Sequence, residues 1–194
     1  DSWLASAQLR QQGVNVMTAP QISSEQGTPI RVPLSFDEKL AQHSRELRAA
    51  TVQTLQINVG KRCNQACKHC HVDASTIRTE MMTPETAELV IAKLRAFNIP
   101  ALDITGGAPE LNPSFRYLVS AAKAAGAHVQ VRHNLTVMFE PGQEDLPEFF
   151  RAQQVEVISS LPYFLEQQTD AQRGNGVFAK SIEALRRLNA VGYG

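Results

Sequence analysis

Cys63, Cys67 and Cys70 stand within eight consecutive residues, and the chain has no other cysteine. The spacing is Cys-x-x-x-Cys-x-x-Cys. Three thiolates so close face a common point if their loop curls, and thiolate is the ligand of soft metals and iron–sulfur clusters. A four-iron cluster held by three cysteines keeps one iron without a protein ligand, free to bind a substrate or cofactor. An odd count excludes a closed disulfide framework and points to a reducing compartment, so the expected location is cytoplasmic. Packing cysteines would be spread over separate elements rather than gathered in one polar loop. A structural zinc is the stronger rival, with His69 or His71 completing a Cys3His set. Zinc sites, however, usually pair two short knuckles across a longer gap, and only one is present. A pure electron-transfer cluster would want a fourth cysteine.

Further groups follow at intervals. Gly106 and Gly107 allow close backbone approach to a ligand, and Glu110 is expected to bring a carboxylate to the cysteine side. Arg132, His133 and Asn134 come next; Arg can fork onto a carboxylate, and Asn both donates and accepts. Ser159 and Ser160 precede Leu161-Pro162-Tyr163. Singly, these are tight turns, solvated arginines and loop starts.

The elements that position them give the groups weight. Leu55–Val59 alternates apolar and polar and reads as a strand. Thr83 caps a helix that has Pro84 at its first position, with Ala87, Val90, Ile91, Leu94 and Phe97 at helical spacing. Strands are expected at Ala101–Thr105, His128–Leu135 and Val155–Ser159. Helices are expected at Pro113–Ala125, stopped by Gly126, at Asp145–Gln153, and at Phe178–Asn189 with Phe178, Ile182, Leu185 and Leu188 on one face. Strands beginning at 101, 128 and 155 keep a constant interval. Four βα units predict an α/β fold with a parallel sheet and right-handed crossovers, either a barrel or part-barrel or a doubly wound sheet. In both, chemistry gathers at the C-terminal strand ends, where all these groups lie. Ahead of the units, 1–34 reads as a mobile arm and 35–54 as a helical lead-in. There Ser35 and Glu38 form a capping box for a helix over Ser35–Ala50.

The cysteine loop after the first strand resembles the cluster motif of radical S-adenosylmethionine (radical SAM) enzymes, and Gly106-Gly107-Ala108-Pro109-Glu110 resembles their glycine-rich motif. More narrowly, NVGKRCNQACKHCHVDAS, TGGAPELNPSFR, NLTVMFEPGQEDL, SSLPYF and QRGNGVFAKSIEALRRLNAVGYG resemble the arsenosugar-biosynthesis, or radical SAM/Cys-rich, proteins. The resemblance implies a (β/α)6 part-barrel, of which 55–194 would supply the first four units, ending before a fifth strand. It implies a 4Fe–4S cluster on Cys63, Cys67 and Cys70, and S-adenosylmethionine on the open iron. Gly106, Gly107 and Glu110 would then line the methionine end, with Asn134, Arg132 and Ser160 near the sugar or carboxylate. The implied reaction is reductive cleavage to a 5′-deoxyadenosyl radical, joined to a methylated arsenic(III) species. The implied partners are a small-molecule substrate and an electron donor such as flavodoxin or ferredoxin. Two positions depart from the family, which is expected to carry cysteine where His133 and Tyr163 stand. The expected Cys-rich C-terminal domain is absent from this sequence.

Composition agrees with a small-molecule enzyme. The 194 residues carry 19 basic and 19 acidic side chains, so nothing suggests binding to nucleic acid through its phosphates. No apolar run is long enough to span a membrane, and no signal peptide is visible. The alternatives are a zinc-stabilised binding module and a non-catalytic cluster-binding fragment.

Overall fold

The computed structural model describes residues 34–194. The expected mobile arm therefore lies almost wholly outside the described residues. The described residues fall into two units, the first ending at Ala50 and the second running over Thr51–Gly194.

In the first unit, helix α1 (Phe36–Gln42) begins with the expected capping box: Glu38 N–H donates to Ser35 Oγ, and Ser35 N–H to the Glu38 carboxylate. It stops at Gln42 instead of reaching Ala50. None of its residues is buried, and a helix with no covered apolar face has little to sustain it past the cap.

The second unit runs β1 (Thr54–Asn58), α2 (Pro84–Ala96), β2 (Ala101–Thr105), α3 (Phe115–Ala124), β3 (His128–His133), α4 (Leu146–Gln153), β4 (Glu156–Ser159), α5 (Glu166–Arg173) and α6 (Val177–Ala190). The four strands are all parallel, in the order β1-β2-β3-β4. That order answers the choice left open by the sequence. A doubly wound sheet reverses direction at a switch point, whereas a sheet growing one way puts every crossover on one side, as in a barrel.

The two sheet faces differ in kind. Parallel partners point the same way, so Leu55, Ile57, Leu102, Ile104, Val129 and Val131 share one face. They form a single core with Ala87, Ile91 and Leu94 of α2, Leu118 and Val119 of α3, and Phe150 of α4. The other face carries Gln56, Asn58, Asp103, Thr105, Gln130, Arg132 and Glu156. It is cross-linked by Gln56 Nε2 donating to Asp103 (2.7 Å) and Gln130 Nε2 donating to Glu156 (2.9 Å). Ile158, paired with Arg132, interrupts this polar face, and Asp103 on it is buried, in keeping with parallel strands being commonly covered on both faces.

Three details differ from the sequence reading. Phe97, expected on the core face of α2, is exposed as the residue that caps the helix end. The buried stripe of α6 is Val177, Ser181, Ala184 and Leu188; it shares Leu188 with the expected face but otherwise lies one residue earlier than Phe178, Ile182 and Leu185. It is set by the two backbone N–H groups, Gly176 and Phe178, that the Asp170 carboxylate accepts. Helix α5 was not expected at all, because Glu166-Gln167-Gln168-Thr169-Asp170-Ala171-Gln172-Arg173 has no apolar period; only Thr169 is buried.

Candidate functional site

At the C-terminal ends of the strands, three backbone segments lie edge to edge. The loop after β1 runs between residues 75–81 and the glycine turn after β2. Lys61 N–H donates to Glu80 O and Cys63 N–H to Ser75 O on one side. On the other, Gly107 N–H donates to Gly60 O (2.9 Å) and Ala108 N–H to Arg62 O (2.9 Å). Only glycine permits this approach. A Cβ on Gly107 would collide with the Arg62 carbonyl oxygen and lie 2.9 Å from the Ala74 Cβ. Gly60, which the sequence reading did not single out, is equally confined, at φ +133° against the Glu80 carbonyl.

The loop then curls, and Cys63, Cys67 and Cys70 line a cavity of about 320 Å³, a size suited to a small cofactor. Gly106, Gly107, Arg132, Asn134 and Ser160 line it too. Each sulfur has a different setting. Cys63 is buried and accepts from Gln65 N–H (3.4 Å) and Asn134 Nδ2 (3.6 Å). Cys70 accepts from Ala74 N–H (3.2 Å). Cys67 donates to Gln65 Oε1 (3.3 Å). Burial pushes the Cys63 thiol above its ordinary pKa against those two donors, and pushes Cys67 up against the charge of Arg173. Among the described residues, no three His, Cys, Asp or Glu side chains converge closely enough for a single metal ion. The three thiols share the cavity lining with His69 and His71, the two histidines expected of the zinc alternative.

Among the described residues, two arginines line the cavity and no carboxylate does. Arg132 forks onto Asp103, Nε to Oδ1 at 3.1 Å and Nη2 to Oδ2 at 2.9 Å. Those hydrogen bonds hold the Asp103 carboxyl below the usual carboxylate range. Arg173 lines the cavity as well. Its Nη2 donates to Ser160 Oγ (2.7 Å), and its buried Nε and Nη1 have no partner among the described residues. Lys68 N–H, in the cysteine loop, donates to Gln172 O and ties the end of α5 to the site. Arg173 was missed because its helix shows no apolar pattern. Its sequence signal is the run Arg173-Gly174-Asn175-Gly176, where two glycines turn the chain into α6.

Glu110 is the one expected site residue that does not line the cavity. The short turn Pro109–Leu111 carries its side chain beneath the sheet, fully buried against His133, with Oε1 2.6 Å from Nδ1. Strand alternation explains His133: residues 129, 131 and 133 face the helices, and His133 meets the Phe150 ring edge-on at 5.4 Å. Tyr163 is exposed and stacks on Phe164, outside the cavity lining.

The family model of the radical SAM superfamily matches residues 57–194, which include the whole cysteine loop and all four strand ends. The chain belongs to the radical SAM superfamily. Its curated radical SAM-type relatives include the mycofactocin maturase MftC of Mycobacterium ulcerans, 30% identical over 132 residues, covering 68% of this chain and 35% of that protein. The Fe-coproporphyrin III synthase of Methanosarcina barkeri is 26% identical over 102 residues, covering 52% of this chain and 26% of that one. The chain thus spans about a third of the length of the curated relatives it matches. The fold resembles that of Streptococcus suis SuiB bound to S-adenosylmethionine, with TM-score 0.62 and 16% identity over 80% of this chain and 35% of that one. No described helix is long and apolar enough to cross a membrane.

Proposed function

We propose that the chain is the cluster- and cofactor-binding part of an enzyme that reductively cleaves S-adenosylmethionine. The observation that carries this is the single cavity lined by Cys63, Cys67, Cys70, Gly106 and Gly107 at the strand ends. The three cysteines would hold a 4Fe–4S cluster, and the glycine turn would offer backbone to the methionine end of the cofactor. When bound, the pair supplies one-electron cleavage of the sulfonium, giving methionine and a 5′-deoxyadenosyl radical.

The protein's own groups bind and orient. The unpartnered Nε and Nη1 of Arg173 suit the cofactor carboxylate, because a buried guanidinium with free donors is costly until an anion meets it. Ser160 holds that guanidinium in place. Arg132, fixed by Asp103, adds a second positive group to the lining. Apolar Val72, Ala74 and Ile158 in the lining would keep water from the reacting atoms. Glu110, packed under the sheet, supports the fold below the glycine turn instead of touching the cofactor.

The finer reading takes methylated arsenic(III) as the acceptor of the deoxyadenosyl group. It is supported by the five sequence segments named above, with His133 and Tyr163 as departures. The experiment uses the full-length protein reconstituted anaerobically with iron and sulfide, then given dithionite, S-adenosylmethionine and dimethylarsenite. Without dimethylarsenite the parent protein is expected to release 5′-deoxyadenosine, and with it the deoxyadenosyl group is expected on arsenic; Cys67→Ala gives neither product. A cluster-loaded protein that yields neither overturns the reading. Deoxyadenosine beside unchanged arsenic overturns only the choice of acceptor.

A further inference from the structure

We propose that Asn134 is a positioning residue for Cys63, donating a hydrogen bond to the sulfur that sets the reduction potential of the cluster held there, and that it does not meet the cofactor's sugar. The proposal rests on reading Cys63, Cys67 and Cys70 as cluster ligands.

The side-chain amide of Asn134 is fully committed within the protein. Its Oδ1 accepts from Val137 N–H (3.0 Å) and Thr136 Oγ1 (3.5 Å). A backbone N–H can only donate, so this contact fixes which end of the amide is oxygen. Nδ2 must then face the loop, where its two hydrogens go to Cys63 Sγ (3.6 Å) and Asn64 Oδ1 (2.7 Å). No donor remains for a ribose hydroxyl.

The surroundings hold this arrangement firmly. Asn64 Nδ2 donates to Thr136 Oγ1 (3.0 Å) and Glu140 (3.1 Å), and Gln65 Nε2 donates to Thr136 Oγ1 (2.7 Å). The two residues after Cys63 are thus tied to the turn after β3. Leu135, fully buried, sits at φ +71°. A branched residue in the left-handed region is strained, and such strain persists where neighbouring contacts dictate the backbone.

Hydrogen bonds to cluster sulfurs favour the electron-rich reduced state and raise the potential. Cys63 receives two such donors, Cys70 one, and Cys67 none among the described residues. Removing the Asn134 donor therefore shifts the potential negative without removing a cofactor ligand.

The test compares the full-length cluster-loaded protein with Asn134→Ala and Asn134→Ser. The serine is uncharged, keeps an oxygen that can accept from Val137 N–H and is too short to reach Cys63, so it decides the matter if the alanine variant does not fold. Iron per chain, midpoint potential from a redox titration followed by electron paramagnetic resonance, and S-adenosylmethionine affinity are measured. Expected are parental iron content, more negative midpoints in both variants and unchanged cofactor affinity. A folded variant that no longer retains iron overturns the proposal, because Asn134 would then be needed to assemble the site and not to set its potential. An unshifted midpoint at full iron, or weakened cofactor binding at an unshifted midpoint, overturns it. A parent protein without a cluster would instead overturn the functional reading beneath it.

Discussion

Glu110 and His133 meet 2.6 Å apart with both side chains completely buried; His133 belongs to the cavity lining and Glu110 does not. Each leaves one polar atom without a partner, Glu110 Oε2 and His133 Nε2. Removing one member of such a pair strands the other, at about 3–5 kcal/mol. Glu110→Ala is therefore expected to lower the unfolding free energy by about that amount in urea titrations. A variant as stable as the parent that has lost cofactor binding would return Glu110 to the cavity.

The glycine turn gives a second expectation. Gly107→Ala forces a methyl group into the Arg62 carbonyl and against Ala74, so the cysteine loop must shift. Iron content after anaerobic reconstitution should fall to near zero. Full loading would show that the loop moves aside cheaply.

For Arg173, the expectation concerns affinity. A charge-assisted hydrogen bond is worth about 1.5–3 kcal/mol, so Arg173→Ala should weaken S-adenosylmethionine binding about tenfold or more. Cluster content should stay at the parental level. Equilibrium binding to the loaded protein measures this, and parental affinity would place the carboxylate elsewhere, with Arg132 the next group to test.

Acid stability reports on Asp103. Its carboxyl is depressed in the folded chain, first by the hydrogen bonds from Arg132, whereas an unfolded aspartate titrates near about 3.9. A depressed carboxyl contributes stability that is fully present above the unfolded value and is lost as pH falls through the folded one. Asp103→Asn should thus be less stable at neutral pH, with a flatter decline below about pH 4. Urea midpoints across that range measure it; a decline as steep as the parent's would assign the acid sensitivity to other carboxylates.

The sequence alone carried the thiol motif, the four βα units and the helix starts. Those depend on local spacing: Cys63, Cys67 and Cys70 share one short loop, Ser35 and Thr83 cap within a turn, and strand alternation is a period of two. The choice between barrel-type and doubly wound sheets lay in strand order, which spacing does not encode. Tertiary structure also decided which face each polar group serves. Glu110 and His133 went to the helix side because a turn and strand parity send them there. Asn134 was claimed by Cys63 and Asn64, residues about seventy positions earlier in the chain. Arg173 joined the site through a helix with no apolar period, held by Asp170 and the cysteine loop. Long-range partners of this kind depend on which segments the sheet brings together, and no local pattern records them.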